Sequence, residues 1–171
     1  LATDLAAKTL VGGVKVDALV QGGGGVLSVL STGGLIFDAI VYGERMPGQW
    51  TAGSDEFRRT QDLAGAFPEE TGAGFVHMSI AYGSDGTISV FRNGLPYGQP
   101  YRPAWGLQPF SGGSSEVLLG MRHGPINRLG GNYFLRGEIE EAALYDRALT
   151  AAEIAELAGV APAPETNLLA N

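Results

Sequence analysis

Residues 75–93, FVHMSIAYGSDGTISVFRN, restrict the fold more than any other stretch. Val76, Met78, Ile80 and Tyr82 alternate with His77, Ser79 and Ala81, and a Ser84-Asp85-Gly86 turn then opens a second alternating run. A two-residue period puts one set of side chains on one face of a strand, and a tight Asp-Gly turn joins two such strands antiparallel. Asn93-Gly94 requires another reversal into LPYGQPY. KTLVGGVKVD (8–17) has the same period, with Leu10, Val14 and Val16 on one side and Lys15 and Asp17 on the other. VLSVLS (26–31), LIFDAIVYG (35–43), SEVLLGMRHG (115–124) and YFLRGEIEEAALYD (133–146) read as further strands. QGGGG (21–25) reads as a turn, because neither the Lys-Ser/Thr nor the helix of a phosphate-binding loop follows it. One helix is expected at 150–158, with Thr150 as N-cap, Glu153 closing a capping box, and Leu149 and Ile154 in the two staple positions. The pattern predicts an all-β chain of antiparallel strands with one short C-terminal helix.

The totals exclude several functions. A chain of 171 residues, 44% hydrophobic, forms one domain with a sizeable core, read here as residues 1–159, and VAPAPETNLLAN (160–171) reads as a Pro/Ala-rich tail or linker. A net charge of −7 with few, scattered basic residues argues against nucleic acid, which requires a basic face. No apolar run approaches the roughly 18–20 residues of a membrane span. With no cysteine there is no disulfide or thiolate chemistry. Nine of the 11 basic residues are arginine, a bias suited to forked hydrogen bonds with carboxylates or vicinal hydroxyls.

The segment FDAIVYGERMPGQWTAGSDEFRRT (37–60) gathers much of the charge around one tryptophan. It opens a stretch of about thirty residues (44–74) whose only strand candidates are QWTAG and FRRTQ. Loops of that length inside compact domains tend to be functional. Glu44, Arg45, Trp50, Ser54, Arg58 and Arg59 have the makings of a carbohydrate platform, an aromatic face for sugar C–H groups beside forked donors and acceptors. The same residues make a structural network if Arg58 and Arg59 clamp Asp38, Glu44 or Asp55 and hold the loop across a sheet. A second candidate is the strand-end turn MRHGPIN, with Arg122, His123 and Asn127. The other histidine, His77, is expected to alternate out of its hairpin and hydrogen-bond a neighbouring strand. Glu138 and Glu140 fall on one strand face about 6.6–6.8 Å apart, near the separation used by inverting glycosidases.

Three stretches resemble the laminin-G-like branch of the concanavalin A-like lectin/glucanase jelly rolls: KTLVGGVKVD, VHMSIAYGSDGTISVFRNGLPYG and GEIEEAALYDRALTAAEIAEL. The resemblance implies an antiparallel jelly-roll sandwich. It also implies an exported setting within a larger bacterial protein, and a choice among glycan or protein-surface recognition, a spacer without ligand, and glycoside hydrolysis. Such domains often hold structural calcium; without an Asp-x-Asp-x-Asp loop the carboxylates would come from distant positions, with Asp38, Glu138 and Glu140 as candidates. Glu138, Glu140 and Glu141 do not reproduce the glucanase Glu-x-Asp-x-x-Glu spacing, and their position before LYDRAL matches the closing strand of the laminin-G-like pattern. The family also tends to begin with one or two strands ahead of KTLVGGVKVD, so an N-terminal strand is expected to be missing and an edge left open.

Overall fold

The computed structural model describes residues 1–123 and 133–160. Its strands are β1 (Lys8–Val16), β2 (Gly24–Ser31), β3 (Phe37–Tyr42), β4 (Trp50–Ser54), β5 (Val76–Tyr82), β6 (Ile88–Arg92), β7 (Leu95–Pro96), β8 (Ser115–Leu119) and β9 (Gly137–Tyr145), followed by the helix α1 (Ala151–Leu157). They form two antiparallel sheets, β7-β6-β5-β1-β9 and β4-β3-β2-β8. The expected jelly-roll sandwich is therefore present. No described helix is long and apolar enough to cross a membrane.

The core is the product of the alternation. Leu10, Val14 and Val16 of β1 meet Val26, Leu27 and Val29 of β2, Ile40 and Tyr42 of β3, Trp50 and Ala52 of β4 and Met78, Ile80 and Tyr82 of β5, all buried between the sheets. One irregularity sets the spacing of the layers. The β2–β3 register slips between Gly25 and Ser28, which turns both Val26 and Leu27 inward. Val26 then lies so close to Gly12 that a Cβ there would stand 2.8 Å from Val26 Cγ1. Only glycine fits beneath the bulge.

The outer faces differ. On the five-stranded sheet Ala81 and Phe91 are covered by Ile154 of α1 and by Leu149 just before it. Its N-terminus is the predicted capping box, with Glu153 N donating to Thr150 Oγ1 (3.3 Å) and Thr150 N donating to Glu153 Oε2 (2.8 Å). On the four-stranded sheet, Leu30, Phe37, Ala39 and Val41 form a smaller apolar floor on the side away from the core. FRRTQ, expected as a strand, is instead entered by a 3₁₀ turn at Asp55–Phe57. The strand ends there because Glu56 (φ 49°) and Phe57 (φ 56°) both take left-handed backbone conformations.

Candidate functional site

The outer face of the four-stranded sheet carries a cleft of about 410 Å³. Its floor is aromatic. Phe37 of β3 stacks on His123 with ring centroids 4.2 Å apart and planes within 7°, and Tyr133 leans on the other side of His123 at 4.7 Å. Gly25 makes this arrangement possible, because a Cβ at that position would run into the backbone of Arg122. The segment carrying Arg122 and His123 can therefore lie directly on β2. Arg122 pairs with Glu44 and sits 4.6 Å over the Tyr133 ring.

His123 is a neutral group in this setting. Burial, aided by the adjacent Arg122 charge, pushes its pKa down to about 4. Its Nδ1 accepts a hydrogen bond from Arg122 Nε (3.1 Å), which leaves Nε2 as the N–H donor of the neutral ring. Glu44 offers the opposite chemistry: its Oε2 is buried at the cleft wall with no hydrogen-bond partner among the described residues.

The opposite wall is the turn after β4. Arg58 donates to Glu56 Oε2 (2.6 Å), approaches Asp55 (3.7 Å), and lies 5.2 Å over the ring of Trp105. Trp105, outside the cleft lining, is 69% exposed and held by that cation. Beneath the turn runs a buried ion network. Arg59 donates from Nε to Asp38 Oδ1 (2.8 Å) and from Nη2 to Asp55 Oδ1 (2.5 Å) and the Phe37 carbonyl (3.0 Å). Lys8 Nζ stands 2.8 Å from Asp38 Oδ2 and donates to the carbonyls of Ala6 and Gln108. Ser54 Oγ accepts from Arg59 N (2.9 Å). Two buried cations thus meet two buried carboxylates, and the strained Glu56–Phe57 pair is over-determined by the groups on either side.

Of the sequence-predicted residues, Glu44, Ser54, Arg58, Arg122 and His123 converge on the cleft. Others are placed differently. Trp50 is no platform: it is 1% exposed, its parity on β4 turns it into the core, and its Nε1 donates to Glu69 Oε1 (2.7 Å), which Arg92 holds from the other side. Arg59 is buried as the anchor of the turn. Arg45 turns to Asp62 (2.6 Å) and packs over Phe57. Asn127 lies outside the described residues. Asp38, already matched by two cations, is in one sheet and Glu138 and Glu140 are in the other, so these three carboxylates do not come together. Glu138 pairs with Lys15 (2.7 Å), and a register shift opposite Gly13/Val14 breaks the simple alternation assumed for Glu138 and Glu140. The His77 ring nitrogens find no partner among the described residues, contrary to the expected cross-strand bond.

Sequence reasoning missed Phe37, Tyr133 and Trp105, and named Asp55 only as a carboxylate that Arg58 or Arg59 would clamp. Trp105 had a signal, a large aromatic between Pro103 and Gly106 in a turn-rich passage. A second cleft, of about 520 Å³, is lined by Gly43, Pro47, Phe134 and Arg136, each within three residues of Glu44 or Tyr133. Arg136 differs from the other described arginines, each of which has a carboxylate partner; it has none among the described residues.

Residues 14–155 match the family model described as the concanavalin A-like lectin/glucanases superfamily. No curated protein matches the sequence. Among solved structures, a heptameric SAP-like pentraxin from Limulus polyphemus superposes with a TM-score of 0.67 at 18% identity, covering 92% of this chain and 71% of that one. The CBM40 of a Ruminococcus gnavus IT-sialidase, bound to α2,3 sialyllactose, gives a TM-score of 0.62 at 17% identity, over 91% of this chain and 84% of that one. A Trypanosoma rangeli sialidase gives 0.52 at 21% identity over 89% of this chain, which spans only 22% of that enzyme.

Proposed function

Because the chain belongs to the concanavalin A-like lectin/glucanase superfamily, we propose that it is a non-catalytic module that binds saccharide in the cleft between Arg58 and His123. The observation carrying this reading is the convergence of polar groups of both kinds on a cleft with an aromatic floor, Phe37 and Tyr133, next to the exposed Trp105 on which Arg58 lies. Glu44 Oε2 is an acceptor without a partner among the described residues, and the neutral His123 and Arg58 are donors. A sugar ring presents the complement: C–H groups on one face and hydroxyls, each donor and acceptor, around the edge. A volume of about 410 Å³ is that of a small-ligand site. A carbohydrate-binding module among the structural neighbours supports the reading. Glu138, tied to Lys15 on the other sheet, stands apart from this cleft, which speaks against hydrolysis there. The reading places the module within a larger exported protein.

The test is a glycan array followed by titration calorimetry on the best hit. Trp105→Ala and Arg58→Ala are expected to weaken binding tenfold or more, about 1.4 kcal/mol, with the melting temperature nearly unchanged. No ligand on the array, or hits indifferent to both substitutions, overturns the proposal. A spacer domain without ligand is the second reading, favoured by how much of the loop charge is consumed internally, and that null result would support it.

A further inference from the structure

Lys8 is a nucleophile enclosed in the core. It opens β1 with the parity of Leu10 and Val14, and Asp38 of β3 has the parity of Ile40, so the two side chains meet between the sheets. Neither side chain reaches water. The Lys8 nitrogen lies 4.5 Å from the centroid of the Tyr82 ring and 5.0 Å from that of Phe110.

The contact between them differs from an ordinary ion-pair hydrogen bond. Nζ stands 2.8 Å from Asp38 Oδ2, yet Oδ2 accepts no hydrogen bond among the described residues, and Nζ donates instead to the carbonyls of Ala6 (3.1 Å) and Gln108 (3.2 Å). An ammonium has three N–H donors. Once one proton has passed to the carboxylate, the two that remain match the two carbonyls, and the vacated direction is a lone pair facing Asp38. Burial pushes the Lys8 pKa down against the pull of Asp38, which favours that transfer. Asp38 Oδ1 is held by Arg59 Nε (2.8 Å), a donor standing where negative charge develops when a carboxyl carbon is attacked.

We propose that Lys8 and Asp38 condense to an intramolecular amide that ties β1 of one sheet to β3 of the other. One ammonium proton passes to Oδ2. The Nζ lone pair then bonds to the Asp38 carboxyl carbon while the C=O electron pair moves to Oδ1, beside the Arg59 guanidinium. A second proton passes from the nitrogen to Oδ2, the bond from the carbon to Oδ2 breaks, and water leaves as the C=O re-forms at Oδ1. Nothing is oxidised or reduced, and no co-reactant is consumed. Holding the two groups in contact supplies an effective concentration on the order of 10⁵–10⁸ M. Condensation also removes a buried ion pair that is costly to desolvate, and it leaves Arg59 matched by Asp55. The amide oxygen keeps its Arg59 donor, and the remaining N–H keeps a carbonyl acceptor at Ala6 or Gln108.

The intact mass of the folded chain, measured after denaturation, tests the proposal. The expected mass is one water below that of the sequence, and trypsin should release residues 1–15 and 16–45 as a single branched peptide, because the amide blocks cleavage after Lys8. Chain held in urea from the outset should have the full mass and lose the water only on refolding. Lys8→Arg and Asp38→Ala should each keep the full mass, and the urea comparison stands even where these variants fail to fold. A folded chain that retains its full mass after prolonged incubation overturns the proposal, as does a Lys8 amine that acetylates once the chain is unfolded. Loss of water traced instead to a succinimide at Asp85-Gly86, where an Asp-Gly bond can also shed water, overturns it too.

Discussion

Arg59 and Arg136 show how differently one residue type can be used. Removing the Arg59 guanidinium leaves Asp55 without its buried partner and Asp38 with Lys8 alone. Arg59→Ala should cost about 3 kcal/mol or more, read from urea unfolding, whereas Arg136→Ala should stay within about 0.5 kcal/mol. His123 gives the pH counterpart. Its folded-state pKa, about 4, lies below the ordinary 6.5, so the folded state disfavours the protonated ring. The stability contributed by the neutral ring is complete above pH 6.5 and declines as pH falls toward 4. NMR titration should find the His123 ring neutral at pH 6, and unfolding of His123→Phe should show a flatter pH dependence across that window. A His123 midpoint near 6.5 would contradict the stacked, neutral ring.

At the level of elements, the strands and the helix were legible because each follows from local rules. Alternation located the β5–β6 hairpin, and Thr150 with Glu153 located α1. Thr150→Ala should cost about 1 kcal/mol, measured by thermal unfolding. The cleft was half legible. Charged residues gathered in sequence did point to a turn that lines the cleft, but Trp50 is buried and the exposed tryptophan near that turn is Trp105, since the side a residue faces depends on strand register and register depends on distant partners. Neither the bulge that turns Val26 inward nor the close approach of Arg122 to Gly25 is encoded in a motif. Gly12→Ala tests the first. It should destabilise by about 1–3 kcal/mol through overpacking, and Val26→Ala in the same chain should recover part of that loss.

Across the whole molecule, the acidic composition conceals a division of labour: most described arginines neutralise a carboxylate inside the protein, and few are left over for partners. The long 44–74 segment is held by two of these internal arginines, Arg59 with Asp38 and Asp55 at its middle and Arg92 with Glu69 toward its C-terminal end. Its left-handed step at Glu56–Phe57 is therefore fixed when the chain folds, before any ligand arrives. On the proposed function, capture at such a rim would involve little induced ordering: encounters would succeed at close to the rate that diffusion and orientation permit, and the lifetime of the complex would set selectivity among sugars.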